Sequence, residues 1–180
     1  QIVYFPDREE QIDEEFIYEP VRDSFEYIYD RETLTNLSGK KYHSKRNHIS
    51  GFMRKYRWSF ERLSNENFLE VKNMLAKWYE ENRDKKNDNM AAEQNGLYKI
   101  LDEGLFNKFL GGVLRVDEQV IAFTLGCKIS NEIFDVNIEK ALSSFDGAYA
   151  MINNLFVKSE LSEFKYVNRE EDMGIEGLRH

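Results

Sequence analysis

Residues 109–129 read FLGGVLRVDEQVIAFTLGCKI, and this stretch decides the fold class. It contains two apolar runs, residues 109–116 and 119–129, with the acidic pair Asp117-Glu118 between them. Two such runs around a two-residue polar break predict an antiparallel β-hairpin, although the Asn-Gly turn that hairpins favour is absent. We expect this hairpin to lie in the centre of a sheet.

Strand and helix patterns alternate on both sides of the hairpin. Runs of apolar residues predict strands at 2–5, 25–29, 58–63, 134–138 and 165–167. Apolar residues at helical spacing predict helices at 30–37, 42–56, 64–78, 90–101 and 148–161, and the start of another at 174–179. The polar run 80–89 predicts a loop. Three consecutive strands followed by a helix and another strand predict a mixed α/β sheet flanked by helices.

The strand predicted at 134–138 has a two-residue alternation. Since side chains alternate between the two faces of a strand, one face is expected to carry Phe134, Val136 and Ile138. The opposite face is expected to carry Asp135, Asn137 and Glu139.

The composition indicates an ordered globular protein. The chain has 180 residues, 41% hydrophobic and 14% aromatic, which fits one domain with a sizeable core. Its one cysteine, Cys127, excludes an internal disulfide and fits a reducing, cytoplasmic setting. Because Cys127 falls in a predicted buried strand, it is expected to be a small core residue and not a nucleophile. The apolar runs are too short for the ~20 residues of a transmembrane helix, so any membrane contact is expected to be peripheral.

The two ends of the chain predict a longer parent protein. Gln1 is not an initiator residue, and the final residues match the first turn of a helix. We therefore expect residues 1–24 to be the remnant of an upstream part. Residues 25–180 are expected to form one domain, truncated at its last helix.

A strongly basic segment stands out in this acidic chain. Residues 39–57 hold seven of the 25 Lys and Arg residues, two of the three His and no acid. The whole chain has a net charge of −8, so removing the +7 of this segment leaves −15 for the rest. The spacing of the apolar residues predicts a helix with a core-facing stripe, namely Tyr42, Ile49, Phe52, Met53 and Tyr56.

Two interpretations of the basic segment remain open. It is either a solvated face of an ordinary amphipathic helix or a clamp for phosphate groups. Gly51 weakens the helix by about 1 kcal/mol relative to Ala, which permits a bend or a close approach there. His43 and His48 match no HExxH pattern and have no cysteine partner nearby, so a metal site is not expected.

Three segments together resemble a known family. They are residues 40–48 (KKYHSKRNH), residues 137–141 (NIEKA) with Gly147-Ala148-Tyr149, and residues 166–179 (YVNREEDMGIEGLR). The resemblance, which covers roughly residues 25 to 179, is to a largely uncharacterised bacterial family. That family is similar to the C-terminal catalytic domain of phosphatidylglycerol lysyltransferases and belongs with the GNAT-like and Fem-type aminoacyltransferases. The last segment is the most specific part.

This resemblance implies a GNAT-like acyltransferase fold and acyl transfer from an activated donor. The donor is aminoacyl-tRNA in the lysyltransferases and Fem-type enzymes. CoA-dependent members carry a Q/R-x-x-G-x-G/A loop for pyrophosphate, whereas residues 142–148 read LSSFDGA here. A loop with one glycine offers fewer backbone N–H groups to phosphate, and Asp146 would repel it. An aminoacyl-tRNA donor is therefore favoured, and acyl-CoA remains possible.

The resemblance also suggests which residues form the site. The chemistry needs a base, oxyanion donors and a cradle for phosphates. The candidates for catalysis are Glu139, Lys140, Glu170 and Asp172. The candidates for substrate binding are Lys41, His43, Lys45, Arg46, Asn47, His48, Tyr149, Asn168, Arg169 and Arg179. Glu139 and Lys140 are expected at the exit of one strand and the later group after the next, where ligands commonly bind in open α/β sheets.

Structural interpretations of the same residues stay open. Glu139 and Lys140 could equally form a surface ion pair, and residues 168–179 could be a solvated turn. Two functional classes follow: an acyltransferase, or a noncatalytic module that uses the basic helix to hold RNA or an anionic phospholipid headgroup. An enzyme needs Glu139 or the pair Glu170 and Asp172 in a pocket, whereas a binding module needs only the cations.

Overall fold

The computed structural model describes residues 26–85 and 88–171. The strands are β1 Glu26–Asp30, β2 Trp58–Arg62, β3 Leu110–Val116, β4 Gln119–Lys128, β5 Ile133–Ala141 and β6 Tyr166–Glu171. The α-helices are α1 Arg31–Asn36, α2 His43–Lys55, α3 Phe68–Glu81, α4 Asp88–Asp102 and α5 Ala148–Glu160. The strand predicted at 2–5 and the helix predicted at 174–179 lie outside the described residues.

The described strands form one six-stranded sheet in the order β1-β6-β5-β4-β3-β2. Strands β2 to β5 pair antiparallel with their neighbours, whereas β5 and β6 are parallel and are connected through α5. A parallel pair needs such a crossover connection because a short turn can only reverse the chain. The prediction of a mixed sheet flanked by helices, with the 109–129 hairpin inside it, is confirmed.

The hairpin turn uses two residues with left-handed backbone. Asp117 has φ +45° and Glu118 has φ +70°, the signs that a type I′ turn requires at both central positions. This conformation costs roughly 1–2 kcal/mol for each non-glycine residue. Two contacts hold the turn: Asp117 N donates to the Arg57 carbonyl at 3.1 Å, and Arg115 Nη1 donates to the Glu118 carbonyl at 2.8 Å.

Helices cover both faces of the sheet. Helices α3 and α4 pack on one face, where Leu75 and Leu101 lie in the same buried cluster as Phe123 of β4. Helices α1, α2 and α5 pack on the other face, where Phe52 and Ile152 share a cluster with Leu114 and Ile121, and Leu34 shares one with Phe134. Each fully buried side chain of this size contributes about 1.5–3 kcal/mol relative to its exposed state. We call these the α3/α4 face and the α2/α5 face.

A bulge in β5 overturns one prediction about this strand. From Leu125 to Cys127, β4 advances two residues, while β5 goes from Ile138 to Asp135 and uses three. The extra residue of a bulge reverses the alternation beyond it. Phe134 and Val136 therefore pack on the α2/α5 face, but Ile138 packs on the α3/α4 face.

The bulge changes the position of Glu139, which an uninterrupted alternation would place on the strand face opposite Phe134. Beyond the bulge Glu139 faces the same side as Phe134, where its carboxylate meets Asn153 of α5. Strand β5 also extends to Ala141, so Glu139 and Lys140 lie inside the strand and not at its exit.

Four smaller predictions are also corrected. Met53 was expected to face the core, but it is 50% exposed because the stripe of α2 is narrow and only Phe52 of this helix is buried. Gly51 allows no close approach, since nothing lies within 4 Å of a Cβ added there and α2 is continuous. Cys127 is only partly buried. The loop predicted at 80–89 is shorter, because α3 continues to Glu81 and α4 begins at Asp88.

Candidate functional site

The candidate site lies where β5 and β6 separate. The two strands pair at three positions, the last being Asp135 with Asn168. Beyond this pair, β5 continues along β4 to Ala141, and β6 continues to Glu171. On the α2/α5 face a cavity of about 250 Å³ opens here. It is lined by Leu37, Lys45, Glu139, Tyr149, Ala150, Asn153, Asn154 and Arg169.

Glu139 is the carboxylate of this cavity. Its side chain is only 10% exposed. Arg169 Nη2 donates to Oε1 at 3.0 Å, and Asn153 Nδ2 donates to Oε2 at 2.9 Å. These donors compensate for the loss of water, because a nearly buried carboxylate is costly unless it is paired and hydrogen-bonded. Glu139 is thus held in one orientation from two elements, β6 and α5.

Lys45 of α2 brings an amine to the same cavity. Burial lowers the pKa of Lys45, the positive charge of Arg169 lowers it further, and Glu139 opposes them; Lys41 adds a smaller lowering. Two cationic side chains and one carboxylate therefore converge on the cavity.

The other predicted residues of the basic segment have different surroundings. Arg46 donates through Nη1 to the carbonyls of Leu37 and, at 2.8 Å, of Gly39, so it caps the chain after α1. Asn47 Nδ2 lies 3.1 Å from His43 Nε2, one helical turn away.

The remaining two residues of this group are exposed. Lys41 lies over the Tyr42 ring at 4.8 Å. His48 Nδ1 is 3.7 Å from Asp146 Oδ1. Of the six predicted binding residues in this segment, only Lys45 lines the cavity.

Lys140 lies on the opposite face of β5 from Glu139, although the two are neighbours in sequence. Its Nζ is 2.9 Å from Glu93 Oε2 and 4.2 Å from the centroid of the Trp78 ring, and its side chain is 13% exposed. Tyr79 donates to the other oxygen of Glu93 at 3.1 Å. Burial raises the pKa of Tyr79, and the charge of Glu93 raises it further, so this hydroxyl stays protonated.

Tyr149 connects this group to the cavity. It lines the cavity, is 45% exposed, and accepts a hydrogen bond at 3.0 Å from Trp78 Nε1. Tyr149 is the second residue of α5, which begins at the loop with the single glycine.

The site residues predicted within residues 168–179 lie on different faces of the sheet or outside the described residues. Arg169 lies in the cavity, whereas Asn168 pairs with Asp135 and is buried. Since neighbouring residues of a strand face opposite ways, Asn168 faces away from Glu139. Glu170 belongs to β6, but its side chain is not described. Asp172 and Arg179 lie outside the described residues.

Sequence reasoning missed the amides of α5. Asn153 holds Glu139, and Asn154 Nδ2 donates to the carbonyls of Leu34 at 2.8 Å and Thr35 at 2.9 Å. Polar residues next to each other in an otherwise apolar helix were the available signal, because they break the core-facing stripe of residues 148–161. Trp78 and Glu93 had no such signal, since each fits an ordinary amphipathic helix.

Residues 26–85 and 88–171 contain no group of three or more His, Cys, Asp or Glu side chains placed to hold a metal ion. Within the same ranges, no helix has the length and apolar character needed to cross a membrane.

Comparison with known proteins identifies relatives of the chain. The family described as phosphatidylglycerol lysyltransferase, C-terminal, matches residues 6–180. No curated protein matches the chain.

Several solved structures are similar to the chain. A conserved protein of unknown function from Bacteroides thetaiotaomicron has a TM-score of 0.81 and 38% identity, over 88% of this chain and 54% of its own. The C-terminal domain of a proposed lysylphosphatidylglycerol synthetase from Agrobacterium fabrum has a TM-score of 0.59 and 13% identity, over 83% of this chain and 46% of its own. A functionally unknown conserved protein from Staphylococcus epidermidis has a TM-score of 0.52 and 14% identity, over 86% of this chain and 54% of its own. The chain thus spans about half the length of the structures that it matches.

Proposed function

The chain belongs to the family of phosphatidylglycerol lysyltransferase C-terminal domains, and from this premise we propose that it is an acyltransferase whose site is the Glu139 cavity. The proposed reaction transfers an aminoacyl group from an aminoacyl-tRNA-type ester to an amine or a lipid hydroxyl. The proposed setting is the cytoplasm, in peripheral contact with a membrane when the acceptor is a lipid. The GNAT-like mechanism of direct transfer between two bound substrates is part of the proposal.

The chemical step assigns a role to each group of the cavity. The acceptor nitrogen or oxygen attacks the ester carbonyl carbon and loses its proton to Glu139. The resulting oxyanion is stabilised by the positive charges of Lys45 and Arg169. When the tetrahedral intermediate collapses, the bond to the ribose oxygen breaks, and that oxygen takes the proton back from Glu139. Each carboxylate oxygen has two acceptor positions, so the bonds from Arg169 and Asn153 leave capacity for this proton.

One observation carries the proposal: a nearly buried carboxylate and an amine with a lowered pKa meet in one cavity. Titratable groups that are enclosed together in a cleft, with a charged partner beside them, are typical of catalytic sites. A surface that only binds anions has no use for Glu139, which reduces the local positive charge.

The loop before α5 supports a donor other than acyl-CoA. Gly147 has φ +82°, and a Cβ added there would lie 2.6 Å from the His48 carbonyl oxygen. The backbone of α2 therefore lies against the start of α5, which is where a helix would offer N–H groups to pyrophosphate. Asp146 adds a negative charge beside it. These features favour a donor whose phosphates are held elsewhere.

The test is a transfer assay with the full-length protein. Charged tRNAs and acyl-CoA serve as donors, and amines and phospholipids as acceptors. Glu139→Gln is expected to lower turnover by roughly 10²–10⁴-fold, the usual contribution of a general base. Glu66→Gln changes an exposed carboxylate and serves as the control. Turnover that is unchanged in Glu139→Gln would remove Glu139 from the proposed chemistry.

A second candidate function rests on the exposed cations of the basic segment, residues 39–57. Lys41, which precedes α2, and Lys55, its last residue, are exposed and the segment carries no acid, so it could hold RNA or an anionic headgroup without catalysis. This candidate is supported if no donor is consumed by the full-length protein while Lys41→Ala still weakens binding of an anionic ligand.

A further inference from the structure

A hydrogen bond joins the two sides of the sheet at the edge of the cavity. Trp78 belongs to α3, and Tyr149 belongs to α5, on the opposite face. Trp78 Nε1 and Tyr149 Oη are 3.0 Å apart, a normal hydrogen-bond distance. This bond therefore joins two helices that pack on opposite faces of the sheet.

The chemistry of the two groups fixes the direction of this bond. An indole N–H can only donate, so the phenol oxygen of Tyr149 must accept. The hydrogen of the Tyr149 hydroxyl is consequently directed to some other acceptor. Among the described residues Tyr149 makes no second hydrogen bond, and its side chain is partly exposed in the wall of the cavity.

Trp78 is itself held by charged neighbours. The ammonium of Lys140 lies 4.2 Å from its ring centroid, a cation–π distance, and Glu93 fixes that ammonium at 2.9 Å. The ring of Trp78 is also in edge contact with Tyr79, whose hydroxyl donates to Glu93. Trp78 is only 8% exposed, so its N–H has one fixed direction, toward Tyr149.

We propose that the Tyr149 hydroxyl donates a hydrogen bond to an oxygen of the acyl ester in the cavity, and that Trp78 and Lys140 are positioning residues for it. This inference rests on the proposed function. It adds a neutral donor to the charged groups of the cavity, Glu139, Lys45 and Arg169. It also gives Lys140 a role through Trp78 and Tyr149, although Lys140 itself lies on the other face of the sheet.

The binding test uses a stable analogue of the donor, a 3′-aminoacylamido adenosine, and titration calorimetry. Tyr149→Phe and Trp78→Phe keep the rings and remove one hydrogen-bonding group each. Each is expected to weaken binding by about 2- to 10-fold, the range for a single hydrogen bond. Trp58→Phe is the matched control, because Trp58 lies in β2 and does not line the cavity, and it is expected to bind like the parent protein. Unchanged affinity in Tyr149→Phe, or no binding of the analogue by the parent protein, would overturn the inference.

A second measurement tests the positioning without any ligand. The chain has two tryptophans, Trp58 and Trp78, so its indole N–H groups give two NMR signals, which Trp78→Phe assigns. Tyr149→Phe is expected to shift the Trp78 signal and leave the Trp58 signal in place, and Lys140→Met is expected to shift the Trp78 signal as well. No shift of Trp78 in Tyr149→Phe would mean that the bond does not exist, which refutes the inference.

The transfer assay separates this inference from the proposed function. If transfer occurs, Tyr149→Phe is expected to lower kcat by about 10²–10³-fold, as loss of one oxyanion donor does elsewhere. Transfer that is equal in Tyr149→Phe and in the parent protein refutes the inference and leaves the proposed function intact. Absent transfer together with Tyr149-dependent binding of the analogue refutes the proposed function and leaves the hydrogen bond to the ligand supported.

Discussion

Arg169 Nη2 donates to Glu139 Oε1 at 3.0 Å, and this contact connects β6 to β5 beyond Asp135 and Asn168, the last residues that pair between the two strands. Beyond this pair the backbones of the two strands are no longer paired, and the side-chain contact joins the strands instead. Space for a ligand arises beside them, and a charge-assisted hydrogen bond keeps the two strand ends at a fixed separation. The same contact stabilises this region and helps to orient Glu139, the candidate base.

Arg169→Met is expected to lower the free energy of unfolding by about 1.5–3 kcal/mol, the usual worth of a hydrogen bond to a charged group. The loss arises because Glu139, 10% exposed, loses its cationic partner and keeps only the Asn153 amide. Urea unfolding of Arg169→Met, Glu139→Gln and the double variant measures the coupling. We expect a coupling of about 0.5–3 kcal/mol, as for residues in contact. Purely additive effects would show that the pair does not stabilise the fold.

The bulge of β5 depends on a glycine in the facing strand. A Cβ added at Gly126 would lie 2.1 Å from the Asp135 carbonyl oxygen, which is backbone and cannot rotate away. Gly126→Ala is therefore expected to lower stability by about 1–3 kcal/mol, the range for overpacking. It is also expected to weaken ligand binding, because the bulge orients Glu139.

Gly51→Ala is the matched control for that substitution. Gly51 lies in α2, and nothing is within 4 Å of an added Cβ. Stability is expected to rise by about 1 kcal/mol, since alanine is the better helix former. Thermal unfolding of both variants checks the pair of predictions. A Gly126→Ala variant as stable as the parent would mean that β5 accepts another register.

The same bulge marks the limit of what the sequence could predict. Apolar patterns were enough for the hairpin and for the crossover helix α5, because each depends on neighbours in the sequence. The bulge depends on how β4 pairs with β5, which no local pattern encodes. One inserted residue was sufficient to move Glu139 to the face opposite the predicted one.

The candidate site shows the same division. The sequence could predict that Glu139 and Arg169 lie near each other on neighbouring strands, but the face on which they meet depends on the bulge. Arg46 could not be distinguished from Lys45, because both are cations of one helix. Only the tertiary structure brings Arg46 to the carbonyls of Leu37 and Gly39 and leaves Lys45 in the cavity.

Asp135 predicts a pH dependence of stability. Burial raises the pKa of Asp135 above 3.8, the Asn137 amide opposes this in part, and the charge of Glu26 adds to it. Within the window from 3.8 up to the raised pKa, the folded state binds more protons than the unfolded state, so stability falls as the pH rises. Above that window the ionised carboxylate is a constant cost.

Asp135→Asn removes this cost. The variant is expected to be more stable than the parent protein at pH 7, and the difference is expected to shrink as the pH falls toward 4. Thermal unfolding between pH 4 and pH 8 measures it. Asp84→Asn changes an exposed aspartate, and its stability difference from the parent protein is expected not to change with pH. A gain that grows toward low pH would show that Asp135 has a stabilising partner instead.

The cations of the basic segment contact different groups, and their variants are therefore expected to behave differently. Arg46 is bound to two backbone carbonyls, so Arg46→Ala is expected to lower the free energy of unfolding by about 1–3 kcal/mol. Lys41 is exposed, and Lys45 carries a desolvation cost, so replacing both with Ala is expected to change stability little. The double variant should instead weaken binding of tRNA, measured by fluorescence anisotropy at several salt concentrations. Each lost phosphate contact is expected to reduce the slope of log K against log salt by about one unit. Arg46→Ala, measured well below its melting temperature, should keep the parent slope, because its guanidinium is already occupied. Equal slopes in the double variant and the parent would show that neither Lys41 nor Lys45 contacts a phosphate of tRNA.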